Sequence, residues 1–374
     1  MEETAPYIQD RARVVVVGAG IAGASIAYHL ARLGWTDVVV VEQAEPASGT
    51  TSHAPGLVGQ LRSSVSLTRM LMYSVELYRT LAVDDPRGFA AVGSLRLASS
   101  PERLEELQRQ VGFAQSVGLE AHLLGPGEAH SLFPLIDLTD VQGALFLPHD
   151  GSASAPILTG ALIRRAQAAG VTFCRNTRVL GIEVTGSRVG AVDTSRGRIE
   201  TEIVVVAAGI WSPLVGHMAG VSLPLVPMQH QFARTAPLAI LAARRLPNLR
   251  DPDGLVYARQ DGDRLVLGGY ERNPERFTSG QIPERQNPTI LPFDGPRFAP
   301  LHEALVRRIP RLERVELQDQ VNGLEAFTPD GEFLLGPSAD VKGFWAACGF
   351  CAHGVSGAGG VGKMMAEWLV EGEP

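Results

Sequence analysis

Three glycines open the chemistry of this chain. Gly18, Gly20 and Gly23 stand in the pattern G-x-G-x-x-G, and Glu42 follows about 20 residues later. Gly18 permits a tight turn, Gly20 lets a pyrophosphate approach the backbone, and Gly23 lets a helix pack closely on a strand. Ile21 and Ala22 lie within this turn, ahead of a helix whose N-terminal unpaired N–H groups attract phosphate. Glu42 accepts hydrogen bonds from ribose hydroxyls and repels a 2′-phosphate; Gln43 follows it. The spacing therefore predicts a bound dinucleotide. Farther on, Ser48, Thr50, Thr51 and Ser52 precede His53 and Ala54 in a hydroxyl-rich loop able to bond the pyrophosphate.

The flanking segments supply the positioning elements. Val14-Val15-Val16-Val17 is a β-branched run suited to a strand buried on both faces, and Val38 to Val41 is a second. Ala24 to Leu33 reads as the helix between them, which completes a βαβ unit. Ile203 to Val206 is a further apolar strand. It runs into Ala207, Ala208 and Gly209, small enough to let a cofactor lie against the sheet, with Trp211 just beyond. Val179 begins a hairpin-like pair of strands and is counted among the expected cofactor-binding residues. At the far end, Gly343 to Ala347 reads as a strand. A glycine-rich loop, Gly354-Val355-Ser356-Gly357-Ala358-Gly359-Gly360, is expected to precede a last helix. That helix start could stabilise negative charge on a cofactor ring such as a reduced flavin.

Between these pieces lie helices expected over 66–81, 101–117 and 157–169, and a polar, proline-rich region over roughly 221–317 with strands near 229–235, 254–259 and 264–269. The order implies an α/β (mixed α+β) fold: a discontinuous Rossmann-like FAD-binding domain with an inserted β-sheet-rich substrate domain. The boundaries expected are 1–90, 150–220 and 320–374 for the first, and 91–149 and 221–319 for the second.

Bulk properties exclude several classes. The 374 residues carry a net charge of −7, mixed along the chain, which argues against nucleic acid or an anionic membrane surface as a partner. No apolar run approaches the ~20 residues of a membrane span, and no secretory signal opens the chain. A cytoplasmic location is the expectation. The three cysteines, Cys174, Cys348 and Cys351, do not suggest a disulfide framework, and the CxxC formed by the last two reads as buried thiols rather than a redox pair. No metal site is expected.

The resemblance is carried by Val14 to Glu42, by the loop S-G-T-T-S-H-A-P-G-L (48–57), by P-M-Q-H-Q-F (227–232), by F-T-P-D-G (327–331) and by the terminal glycine segment. In order and over nearly the whole length, the chain resembles the D-amino-acid-oxidase superfamily. Within it, the chain resembles the dimethylglycine oxidase, dimethylglycine dehydrogenase and sarcosine dehydrogenase branch. The resemblance implies FAD, bound covalently through His53. It implies that His230 and Tyr257 face the substrate amine and act as proton acceptors or orienters. It also implies a small-molecule amine substrate, with oxygen or an electron-transfer flavoprotein as acceptor.

Two departures accompany it. Many relatives continue into a folate-binding domain; this sequence stops about where that domain would begin, so it is expected to be either a one-domain relative or a fragment. The lysine that monomeric sarcosine oxidases place near the flavin has no counterpart before Lys342. The expected function is oxidative demethylation of an N-methylated amino acid, with hydride leaving the N-methyl carbon and the iminium hydrolysing to formaldehyde. Oxidation of another D-amino, imino or 2-hydroxy acid, or a flavin-bearing subunit inactive alone, remain alternatives. The substrate carboxylate calls for an arginine; Arg259 and Arg234 lie near the candidate strands.

Overall fold

The computed structural model describes residues 8–282 and 290–373. Its central sheet has six strands in the order Leu334–Pro337, Phe344–Cys348, Ile203–Val206, Val14–Val17, Val38–Val41, Thr172–Cys174. All neighbours pair in parallel except the first two. The all-valine strands follow from burial on both faces. Val14, Val16, Val38 and Val40 pack against the helices Ile21–Arg32, Val65–Leu81, Ala155–Ala168 and Gly354–Glu371. Val15, Val17, Val39 and Val41 face the other way, onto a three-stranded antiparallel sheet built from Val179–Thr185, Arg188–Thr194 and Gly197–Glu200.

A second, nine-stranded sheet carries much of the remaining chain. In its middle, Leu317–Phe327, Val226–Thr235, Arg264–Gly269, Val256–Asp261 and Asn248–Asp251 lie side by side and antiparallel. Its core combines Leu95, Phe133, Leu249, Leu267 and Phe298, the last from the helix Gly295–Arg308. The buried Arg308 guanidinium ties this region together, bonding Asp251 at 2.8 Å and Asp140 at 2.8 Å. No helix among the described residues is long and apolar enough to cross a membrane.

Two expectations need correction. The glycine-rich segment 354–360 is not a loop: the final helix starts at Gly354 and the glycines lie inside it. Their role is close packing. A Cβ on Gly359 would sit 2.7 Å from the Ser74 backbone, and one on Gly362 would sit 2.6 Å from that of Ser25. Helix propensity, which disfavours glycine, is overridden because two neighbouring helices press on this one. The expected boundary at 320 also cuts through a strand. Leu317–Phe327 is continuous and pairs with Val226–Thr235 along its length, so sheet membership changes only after Phe327.

Candidate active site

A cavity is lined by residues from both the six-stranded and the nine-stranded sheets. Gly18, Gly20, Ile21 and Ala22 line one end with Glu42, Gln43, Ser48, Thr50, Thr51 and Ala54. Val179, Ala207, Ala208, Gly209 and Trp211 form a wall, and Gly354 and Val355 reach it from the last helix. Gly18 has φ +107°, and a Cβ there would meet the Ala207 carbonyl oxygen at 2.5 Å. Glu42 holds the turn in shape. Its carboxylate accepts the Ala19 N–H at 2.9 Å and the Ala44 N–H at 3.0 Å. Burial pushes its pKa up, and these backbone bonds oppose the shift.

The helix that starts after Gly20 has no side-chain cap and no acid in its first turn, and the helix that starts after His353 is likewise uncapped. Two helix N-termini thus meet one cavity; in the first, the Ile21 N–H donates to the Thr51 hydroxyl at 3.2 Å. That donor set suits a pyrophosphate at one end and an anionic ring at the other, so the residues present fit FAD.

Five of the residues singled out from sequence do not line the cavity. Gly23 packs against the turn instead; a Cβ there would lie 2.0 Å from the Gly18 carbonyl oxygen. The Ser52 hydroxyl donates back into its own turn, to the Gly49 carbonyl at 2.8 Å. Ser356 donates to the Leu57 carbonyl at 3.2 Å and serves as a strut between segments. His53 and His230 are not themselves lining residues, although their neighbours Ala54 and Tyr257 are.

His53 is buried, and its ring rests against Gly323, where a Cβ would come within 2.4 Å of it. Its Nε2 lies 3.4 Å from the Leu324 carbonyl oxygen, and Nδ1 is buried without a hydrogen-bond partner. Burial lowers its pKa to about 4, the Leu324 carbonyl partly opposing. The imidazole is therefore neutral near pH 7. Gly323 pairs directly with His230 across the strands, so the missing side chain leaves the room beside His230 that the His53 ring fills.

His230 and Tyr257 do come together. They belong to strands separated by Arg264–Gly269, and Gly268 lies between them. The Tyr257 ring crosses over Gly268, where a Cβ would lie 2.3 Å from its hydroxyl oxygen. That hydroxyl lies 3.0 Å from His230 Nε2. On the other side, His230 Nδ1 is 4.0 Å from the buried Glu271 carboxylate. Burial lowers the His230 pKa while Glu271 raises it, and burial pushes Tyr257 well above the usual tyrosine range. Tyr257 lines the cavity; His230 stands behind it.

Sequence reasoning missed Arg250, Tyr270 and Glu325, which also line this end. Arg250 pairs across strands with Tyr257 and so shares its face. Strand alternation could have found it once that pairing was known. Arg62 and Arg96 lie close by, and burial, reinforced by the neighbouring guanidiniums, lowers their pKa values to about 9 and about 10. Asp150 opposes all this positive charge, held by Gln60 and Ser94. Arg259 and Arg234 do not line the cavity; both turn to Asp261, at 3.6 and 3.3 Å. The three cysteines are free and buried.

A family model described as FAD dependent oxidoreductase (DAO) matches residues 13–368. The chain belongs to this family. It is 36% identical to the mitochondrial sarcosine dehydrogenase of Homo sapiens over 98% of this chain and 40% of that protein. It is 34% identical to the mitochondrial dimethylglycine dehydrogenase of Rattus norvegicus, over 99% of this chain and 44% of that protein. The chain thus spans about two fifths of the length of these curated relatives. Among solved structures, L-proline dehydrogenase from P. horikoshii superposes with a TM-score of 0.89 at 26% identity, covering 98% of this chain and 95% of that one.

Proposed function

We propose that this chain oxidises an N-methylated amino acid of the sarcosine or dimethylglycine type. Bound FAD supplies a hydride acceptor, and the oxidised amine hydrolyses to formaldehyde and the demethylated product. The observation that carries the reading is the Tyr257–His230 contact at the edge of the cavity. An ammonium nitrogen must lose its proton before its lone pair can assist hydride loss. The Tyr257 hydroxyl can accept that proton as it passes its own to His230 Nε2, and Glu271 stabilises the imidazolium so formed. The low basicity that burial gives His230 keeps it ready as an acceptor at neutral pH. Arg250, on the same face as Tyr257, receives the substrate carboxylate.

His53 is the proposed site of covalent attachment. The neutral ring and the unpartnered Nδ1 support this. The similarity to sarcosine and dimethylglycine dehydrogenases supports the substrate class. The test is product analysis with the holoprotein. Sarcosine should yield formaldehyde and glycine, and dimethylglycine should yield formaldehyde and sarcosine. Equal turnover of glycine, which has no N-methyl group, with no formaldehyde from either methylated substrate would refute it.

A further inference from the structure

The wall of the cavity holds a carboxylate that the proton path just described does not use. Glu325 lies on the strand Leu317–Phe327, is 7% exposed, and lines the cavity with Tyr257, Tyr270 and Arg250. Its Oε2 is buried and meets no hydrogen-bond donor, and no ion pair reaches it among the described residues. The phenols of Tyr257 and Tyr270 feel its charge. Burial alone raises its pKa to about 7. A buried carboxyl left without a donor is costly to the fold, and a protein keeps one where a ligand completes it.

The missing partner must be a donor or a cation that enters the cavity. The surroundings favour a cation: the rings of Tyr257 and Tyr270 line the same cavity, and aromatic faces attract quaternary and tertiary ammonium groups. Arg250 lines the same end with the opposite charge. One cavity end therefore offers an anion and a cation together, which is the complement of a zwitterion. We infer that Glu325 is the subsite for the substrate's ammonium group, working with Arg250, which takes the carboxylate. This rests on the amine-oxidation reading above and deepens it: the site selects substrates whose nitrogen is positively charged on arrival. Glu325 binds the cation, and Tyr257 then removes its proton.

The test separates charge from shape. Trimethylglycine carries a permanent positive charge, has no proton on nitrogen and differs from 3,3-dimethylbutanoate mainly in that charge. Both would be titrated into the oxidised holoenzyme and followed through the flavin difference spectrum. The wild type should bind trimethylglycine about tenfold or more tighter than 3,3-dimethylbutanoate, which lacks the positive charge, given an opposite charge in a low-dielectric wall. In Glu325→Gln, which keeps the shape, that ratio should fall about tenfold. In Glu325→Asp, which keeps the charge, it should stay within about threefold of wild type. A Glu325→Gln ratio within about threefold of wild type overturns the inference, as does a wild type that binds the two equally or binds neither. Wild-type flavin that no N-methyl amino acid reduces is a distinct result: it removes the amine reading and this inference with it.

Discussion

The Tyr257 hydroxyl lies 3.0 Å from His230 Nε2, reached across Gly268 in the strand between them. The pair thus depends on a position with no side chain. His230→Ala and Tyr257→Phe should each slow flavin reduction by substrate by about 10²–10⁴-fold while leaving the flavin spectrum nearly unchanged. Gly268→Ala should do the same by driving the two rings apart. Anaerobic stopped-flow kinetics check this, with thermal melts to establish that each variant is folded. Full-rate reduction in all three would take the pair out of the proton path.

The pH dependence has a definite sign. The proton acceptor must be neutral, so reduction should slow as the solution becomes acidic enough to protonate His230. Burial lowers its pKa, so that acid limb should fall below the ordinary histidine range. Glu271 opposes this shift, so Glu271→Gln should move the limb to still lower pH. The pH profile of the reduction rate measures both. A limb that moves upward in Glu271→Gln would contradict the arrangement.

Acid precipitation addresses His53. Flavin should remain with the wild-type polypeptide and be released from His53→Ala. Gly323→Ala should also release flavin, because a Cβ there would lie 2.4 Å from the ring and displace it. Flavin in the supernatant from wild-type holoprotein would refute the covalent bond.

Glu42 ties the glycine turn to the cavity through two backbone N–H groups. Glu42→Ala leaves both unsatisfied, which should cost about 1–3 kcal/mol in stability. In a His53→Ala background, where binding is reversible, it should also weaken FAD affinity by about tenfold or more. Chemical denaturation and fluorescence titration give the two numbers. An unchanged affinity would mean that Glu42 plays no part in holding the cofactor.

Helix glycines should divide by what surrounds them. At Gly360 a Cβ would lie 2.3 Å from the Met70 carbonyl oxygen, so Gly360→Ala should destabilise by about 1–3 kcal/mol. Gly112, in the helix Pro101–Ser116, has open space around it, and Gly112→Ala should stabilise by about 0.4–1 kcal/mol. Thermal melts of the two variants test the packing role of the final helix.

The parts legible in sequence share a cause. Val14–Val17, Val38–Val41 and Ile203–Val206 announce a doubly covered sheet because burial on both faces demands continuous apolar residues. The G-x-G-x-x-G turn is legible because its backbone geometry admits few alternatives. The strand Leu317–Phe327 was not, since it mixes Gln, Asp, Asn, Gly and Glu along its length. Its polar residues are there for the site: Gly323 makes room for His53, and Glu325 lines the cavity. The helix Gly295–Arg308 was hidden by Pro296 in its first turn and Pro300 inside it. Arg250 and Glu271 show no local signal, because their significance arises only from strand pairing and from the fold that carries them to Tyr257 and His230.

Anaerobic mixing of the oxidised holoprotein with sarcosine, and separately with dimethylglycine, tests amine oxidation most directly. The oxidised flavin absorbance should bleach with saturating dependence on at least one of these substrates. Flavin that stays oxidised with every N-methyl amino acid, yet is reduced at once by dithionite, would contradict the proposed function.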